Sequence, residues 1–345
     1  MKRSLMVVIS IFLLCLLMVG CSQKQEETAT DPGNEQEAVS EPLVLKVAHV
    51  EAEDRSTHKA TLEFEKYVEE QSKGAVDVQI FPNGTMGNDE QMTQAVILGT
   101  IHMTMPATSA LTTYNAKFGI GDMPFLFKDT ESAFNAMDGE LGDELDKLLP
   151  AELYNFGYNF NGVRNCSNSK RPINEPKDLE GIKMRVMNSP VYIDLFKYLG
   201  ANPTPVNFTE VFTALQQGTV DGQENAASLT YAMKFHEVQK YYSLTGHTYS
   251  FLPVLINKAF YEGLPEDIQK IIADGAQQYL IDYQRQLEVN DNDEYIQKIK
   301  DAGVEVNEIT PENHEKFVEA LKPMYEKYEK EFGKELFDIA AKYNQ

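Results

Sequence analysis

Arginine is the side chain best shaped to grip a carboxylate, because its guanidinium is planar, forked and always charged. After residue 20 the chain has five: Arg55, Arg164, Arg171, Arg185 and Arg285. Three of them fall within residues 164–185, whereas the lysines are spread widely. Each charged hydrogen bond made in a dry cleft contributes about 1.5–3 kcal/mol. Two such forks would suffice for roughly micromolar capture of a small acid, which needs about 8 kcal/mol. An arginine on a strand face is more often a surface or ion-paired residue, so the cluster alone decides nothing. Other chemistries have less behind them. The histidines (His49, His58, His102, His236, His247, His314) show no metal-ligand spacing. There is no G-x-S-x-G elbow and no Gly-rich phosphate loop. These residues point to no metal site and to no assembled nucleophile or base. Cys166 reads as a small buried hydrophobe.

The elements that must position these arginines alternate in type. LVLKVAHV (43–50) and VDVQIF (76–81) read as strands, with a helix over His58–Lys73 capped by Ser56 or Thr57. Asp89–Leu98 reads as a helix and Ile101–Met105 as a strand, a β-α-β-α-β beginning that predicts a mostly parallel sheet. A second unit follows Gly162. Its strand Ile182–Met187 places Arg185 on the face opposite Ile182, Met184 and Val186. Ser189-Pro190 starts a helix, and Asn207 with Glu210 forms the capping-box pattern for the next. From Pro265 towards Gly303 the helical pattern continues for about 38 residues, which at 1.5 Å per residue gives roughly 57 Å. That length predicts a helix crossing both halves of a two-lobed chain.

Charge and leader bound the setting. The 345 residues carry 31 Lys+Arg against 53 Asp+Glu, a net charge of -22. That balance argues against nucleic acid, whose binders need a basic face. Lys2 and Arg3 precede an apolar run from Leu5 to Val19, as in a secretory signal (1–20). LMVGC (17–21) resembles a lipobox, with Met18 where that motif usually has Leu, and would lipidate Cys21. Residues 21–42 then read as the lipidated cysteine and a flexible acidic tether. With Cys15 in the leader and Cys21 acylated, Cys166 has no partner for a disulfide.

Longer stretches carry a resemblance. FPNGTMGND (81–89), DMPFLF (122–127), GVRN (162–165), SNSKRPI (167–173), GIKMRVMNSP (181–190), FTEVFTALQQGTVDGQEN (208–225) and FHEVQKYYSLTGHTYS (235–250) occur in this order. Residues 43–330 thereby resemble the DctP-like solute-binding proteins of TRAP (tripartite ATP-independent periplasmic) transporters. The resemblance implies an α/β, two-lobed, periplasmic-binding-protein-like fold of type II character. A hinge and one long helix would link the lobes. It places lobe I at 43–161 plus 251–290, lobe II at 162–250 plus 291–330, and a C-terminal helical extension at 331–345. Arg185 matches the family's principal carboxylate-binding arginine, and Arg164 the second. Asn225 resembles the amide that contacts the ligand, and Phe208 the aromatic against the ligand body. His49, Asp89, Thr108 and Ser109 fall in first-lobe loops expected to face the cleft, or else are turn, cap or surface residues. Glu224, His247 and Arg171 are expected to be structural. The family often has Pro after QEN, whereas here Ala226-Ala227 follows.

The function the resemblance implies is capture of a small organic acid by hinge closure and its delivery to the small and large integral-membrane permease subunits, with no enzyme activity and no cofactor. GQEN with TGHTYS resembles sugar-acid binders (uronate or aldonate) more than C4-dicarboxylate binders. The implied location is extracytoplasmic, anchored by a lipid on Cys21. Two other readings stand beside it. One is a ligand-sensing surface lipoprotein that feeds a receptor kinase; the other, an extracellular enzyme on organic acids, lacks an assembled nucleophile or base.

Overall fold

The computed structural model describes residues 41–345, so the leader, the lipobox with Cys21 and nearly all of the tether lie outside the described residues. Nine strands form one sheet: β1 (Leu43–Ala48), β2 (Val76–Phe81), β3 (Met103–Thr104), β4 (Leu153–Asn168), β5 (Lys183–Val186), β6 (Asn202–Pro205), β7 (Gly222–Asn225), β8 (Tyr241–Asn257) and β9 (Glu305–Glu308). Their order is β2-β1-β3-β8-β4-β7-β5-β6, with β9 beside β8. The expected mostly parallel sheet is in fact mixed. Its flanks are parallel, but its centre is antiparallel.

The cause is a pair of long strands. β4 and β8 have 16 and 17 residues and run side by side from the Leu153–Asn257 pair to the Asn168–Tyr241 pair. Most of β8 is buried without alternation, as expected of a strand covered on both faces, so no period of two marks it in the sequence. Three register shifts along the pair bend the strands on their way between the two halves of the molecule.

The largest core runs through both halves, joining Ala48, Met92 and Phe118 to Met184, Val186 and Phe196, and smaller clusters lie on either side. On the β1 side, Leu45, Val47 and Val78 pack with Phe64 and Val68 of helix Ser56–Gln71 and with Leu280 of the long helix. On the β7 side, Val211, Leu215, Val220, Leu229 and Phe235 form a smaller core. The long helix is continuous through Glu266–Gly275, a π-helical stretch Ala276–Tyr283, and Gln284–Asp301. Its far end supplies Tyr295 and Ile299 to a cluster with Ala227 and Tyr242 of the second half. β4, β8 and this helix are therefore the shared elements of a two-lobed fold. The C-terminal helix Lys334–Lys342 returns to helix Glu140–Asp146, where Tyr343 Oη accepts from the Glu140 N–H at 2.9 Å.

Three expected helix caps are absent. Ser56 and Thr57 lie inside the first helix, whose cap is Arg55, because the Ser56 hydroxyl donates instead to Glu288 on the long helix. Ser189 makes no cap bond although Pro190 opens its helix. Asn207 leads into a short 3₁₀ turn, Phe208–Glu210, without a side-chain cap. By contrast Asn88, not singled out in the sequence, forms a full capping box with Gln91. Gly162 has φ +89°, and a Cβ there would lie 2.5 Å from Ala226 Cβ. This position needs glycine because β4 meets the segment after Asn225 at that point.

Candidate ligand-binding cleft

β5 ends at Val186 with Arg185 pointing into a cleft between the two halves. The cleft holds about 620 Å³ of space, its open mouth included. Glu51, Asn88, Asp89, Glu90, Ser109 and Asn161 line it together with Arg164, Arg185, Phe208 and Asn225. A wider groove beside Phe125, Tyr249 and Tyr325 also indents the surface, but its Lys128, Lys322 and Glu326 are exposed. Only the first cleft has buried arginines in its wall.

The five arginines are placed very differently. Arg55 is buried and bonds Glu51 Oε2 at 2.8 Å and Glu288 Oε1 at 3.0 Å. Arg285 takes Asp138 at 2.6 and 2.7 Å. Exposed Arg171 donates to the carbonyls of Asp178 and Glu180. Arg164, on β4, is clamped by Glu224 of β7, at 2.5 Å from Nε to Oε2 and 2.8 Å from Nη2 to Oε1. Strand pairing sets this up, since Asn165 faces Asn225 and Cys166 faces Glu224. Arg185 is 2% exposed. Its Nε donates to the Val206 carbonyl at 2.9 Å, while its Nη1 is buried without a partner. Among the described residues it is the one buried arginine with no carboxylate in ion-pair contact.

The electrostatics follow from burial and pairing. Burial lowers Arg185 to about 10, with Arg164 adding to the fall and Glu224 and Asp89 opposing it. It stays charged at neutral pH, with a desolvation cost only partly offset. For Glu224, burial pushes the carboxyl up, but Arg164 and His247 outweigh it and bring it down to about 2. His247 Nε2 lies 3.2 Å from Glu224 Oε2, and its Nδ1 lies 2.8 Å from Thr245 Oγ1. Asp89 is pushed up to about 7, first by burial, with Glu51 and Glu90 adding and the Ala107 N–H and Arg185 pulling down.

Glu224 yields a pH prediction. Its folded value lies below its unfolded value of 4.5, so its stabilisation is present above about pH 4.5 and is lost as pH falls towards 2. Denaturant midpoints should therefore drop between pH 5 and pH 3. Glu224→Gln should flatten that stretch of the curve; an unchanged slope in the variant would assign the acid sensitivity elsewhere.

Of the residues expected at the site, six line the cleft: Arg185, Arg164, Asn225, Phe208, Asp89 and Ser109. His49 and Thr108 are not among the cleft-lining residues. His49 is fully buried against His58, with 3.3 Å between ring nitrogens, and burial, followed by His58, lowers it to about 3. Thr108 donates to buried Asp122 at 2.9 Å. Asn225 is tied by its side chain to Gln223 and by its carbonyl to the Tyr242 hydroxyl. After it the chain passes directly into helix Ala227–Ala232. Phe208 stands edge-on to Phe235, with ring centroids 6.4 Å apart. The sequence reading missed Glu51 and Asn161. Both meet Arg55, Asn161 Oδ1 at 2.7 Å from Nη2, so an early pairing of that lone arginine would have been the signal to find them. Cys166 is buried and free, as expected.

The chain is similar to known proteins over most of its length. Residues 47–331 match the DctP family model, described as bacterial extracellular solute-binding protein, family 7. The 2,3-diketo-L-gulonate-binding periplasmic protein YiaO of Escherichia coli K12 is 39% identical over 278 residues, 80% of this chain and 84% of that one. The sugar acid binding protein DctPAm of Advenella mimigardefordensis, solved with galactonate, superposes with a TM-score of 0.85 at 36% identity, covering 88% of this chain and 99% of the other. A TRAP periplasmic solute-binding protein of Shewanella oneidensis, solved with succinate, gives 0.85 at 30% identity, covering 88% and 100%. With a family match over most of its length and a cleft walled by buried arginines, the chain belongs to the DctP family of extracytoplasmic solute-binding proteins of TRAP transporters.

Proposed function

We propose that this protein captures a small organic acid with its carboxylate on Arg185 and Arg164, and closes its two lobes over it. The observation that carries this reading is the desolvated Arg185 guanidinium with Nη1 unpartnered in the cleft wall. A buried cation lacking a counter-charge is costly, and an anionic ligand relieves that cost. Arg164 is held from behind by Glu224 and borders the same cleft. The ligand stabilises the closed state because its contacts come from both halves, and population shift follows from that differential affinity. The two similar structures solved with galactonate and succinate support an organic acid as the solute.

Delivery is to a pair of membrane permease subunits, and the protein is tethered by a lipid on Cys21. The lobes divide as 43–161 with 251–290 and 162–250 with 291–330, hinged on the long strands β4 and β8. The test is a thermal-shift screen of aldonates, uronates and C4-dicarboxylates. An acid present at a hundred times its Kd should stabilise the folded state by about 2.7 kcal/mol. A panel that leaves the melting temperature unmoved, confirmed by calorimetry, would overturn carboxylate capture. For the anchor, Cys21→Ser should move the protein from the membrane fraction to the medium or periplasm; retention on the membrane would refute it.

A further inference from the structure

The cleft that holds Arg185 is also lined by three carboxylates, Glu51, Asp89 and Glu90. Two of these carboxylates already have partners. Glu51 binds Arg55 at 2.8 Å, and Glu90 accepts from Asn188 Nδ2 at 3.2 Å. Asp89 differs. Its Oδ2 accepts from the Ala107 N–H at a long 3.3 Å, and its Oδ1 is sealed from solvent with no partner. The residue as a whole is only part-buried, so the carboxyl end is the portion turned inward.

The cleft wall thus contains two buried orphan atoms of opposite character, Arg185 Nη1 as a donor and Asp89 Oδ1 as an acceptor. Buried polar atoms without partners are uncommon, and each is costly until it is paired. A ligand that pairs both must offer an anionic oxygen to the one and a hydroxyl hydrogen to the other. Above about pH 7, where Asp89 is ionised, a second carboxylate beside it would instead meet the like charge of Asp89 with Glu90 next to it, Glu51 being already paired with Arg55.

We infer that the cleft selects polyhydroxy monocarboxylates of the aldonate or uronate type over C4-dicarboxylates, with Asp89 as the residue that reads a ligand hydroxyl and rejects a second carboxylate. This rests on the capture of a carboxylate by Arg185 proposed above. Specificity here has an attractive and a repulsive arm in one side chain.

Calorimetry at pH 8 separates the outcomes, since Asp89 is then ionised with Glu51, Glu90 and Arg185 as its charged neighbours. The probes are gluconate, galactonate, glucuronate, succinate and malate. The wild type should bind at least one of the three sugar acids about a hundredfold more tightly than succinate. Malate should be as weak as succinate, because its hydroxyl comes with a second carboxylate. In Asp89→Asn, that preference should shrink at least tenfold, with the sugar acid weakened and succinate strengthened, within the span of a charge-assisted hydrogen bond. Succinate bound as tightly as the sugar acids by the wild type would overturn this inference while leaving carboxylate capture in place, and needs no variant to fold. An unchanged preference in a folded Asp89→Asn would overturn the role of Asp89. Binding of none of the acids would overturn both readings together.

Discussion

Arg185→Ala should weaken binding of the best acid by about 10²- to 10⁴-fold. Two charged hydrogen bonds at about 1.5–3 kcal/mol each set that range, with every 1.4 kcal/mol worth a factor of ten. The loss falls on affinity because Arg185 supports little else in the fold. Its bond to a side chain or backbone group is the single one from Nε to the Val206 carbonyl, and its charge is opposed by no contacting carboxylate. Removing an uncompensated buried cation should leave the unliganded melting temperature equal to or above that of the wild type. Arg164→Ala should behave in the opposite way. It leaves Glu224 buried without its partner, so the unliganded protein loses stability and the affinity loss is the smaller of the two. Calorimetry and thermal unfolding on both variants check the pair. Full affinity in Arg185→Ala would sink the proposed anchor, and a destabilised Arg185→Ala would make it a structural residue.

The largest stability effect is expected at Arg55. Its guanidinium gathers Glu51 from the loop after β1, Asn161 from β4, Glu288 from the long helix and Ser228 from the helix after β7. Arg55 and Glu288 are 1% and 3% exposed, so water cannot replace a lost partner. Breaking a buried ion pair from one side costs about 3–5 kcal/mol. Arg55→Met should therefore lower the melting temperature on the order of 10 °C. The further change Glu288→Gln should cost much less in Arg55→Met than in the wild type, because the two residues share one network. Additive losses in the double variant would show that Arg55 and Glu288 act separately. Since Glu51 and Asn161 also line the cleft, Arg55→Met should weaken ligand binding as well. The cluster thus joins the cleft wall to elements of both halves.

These residues also show where a sequence can be read and where it cannot. Arg185 and Arg164 stand out because arginine is rare in this chain and its chemistry is narrow. The long helix stands out because no Pro or Gly interrupts it after Gly275. The network around Arg55 does not stand out, since apart from Glu51, four residues away, its partners lie 106 to 233 residues away in the chain. The same distance effect removed the expected cap at Ser56, whose hydroxyl serves Glu288 instead of its own helix. His49 and Thr108 occur in loops near the cleft, yet they turn towards His58 and Asp122. Loop position fixes a neighbourhood, whereas the direction of a side chain depends on which partner satisfies it. The β8 strand was hidden for a related reason: burial on both faces erases the alternation that marks a strand.

Cys166 has a practical consequence. It sits at the middle of the sheet, opposite Glu224 on β7 and Ser243 on β8, and burial raises its thiol to about 12. A thiol-reactive reagent can meet it only when this seam parts, and then only with the small thiolate fraction present. In a protein produced without residues 1–21, Cys166 is the one cysteine, and its labelling rate becomes a clock for the opening of the sheet without an added probe. Slower labelling with an acid in the cleft would time how firmly the solute holds the halves together.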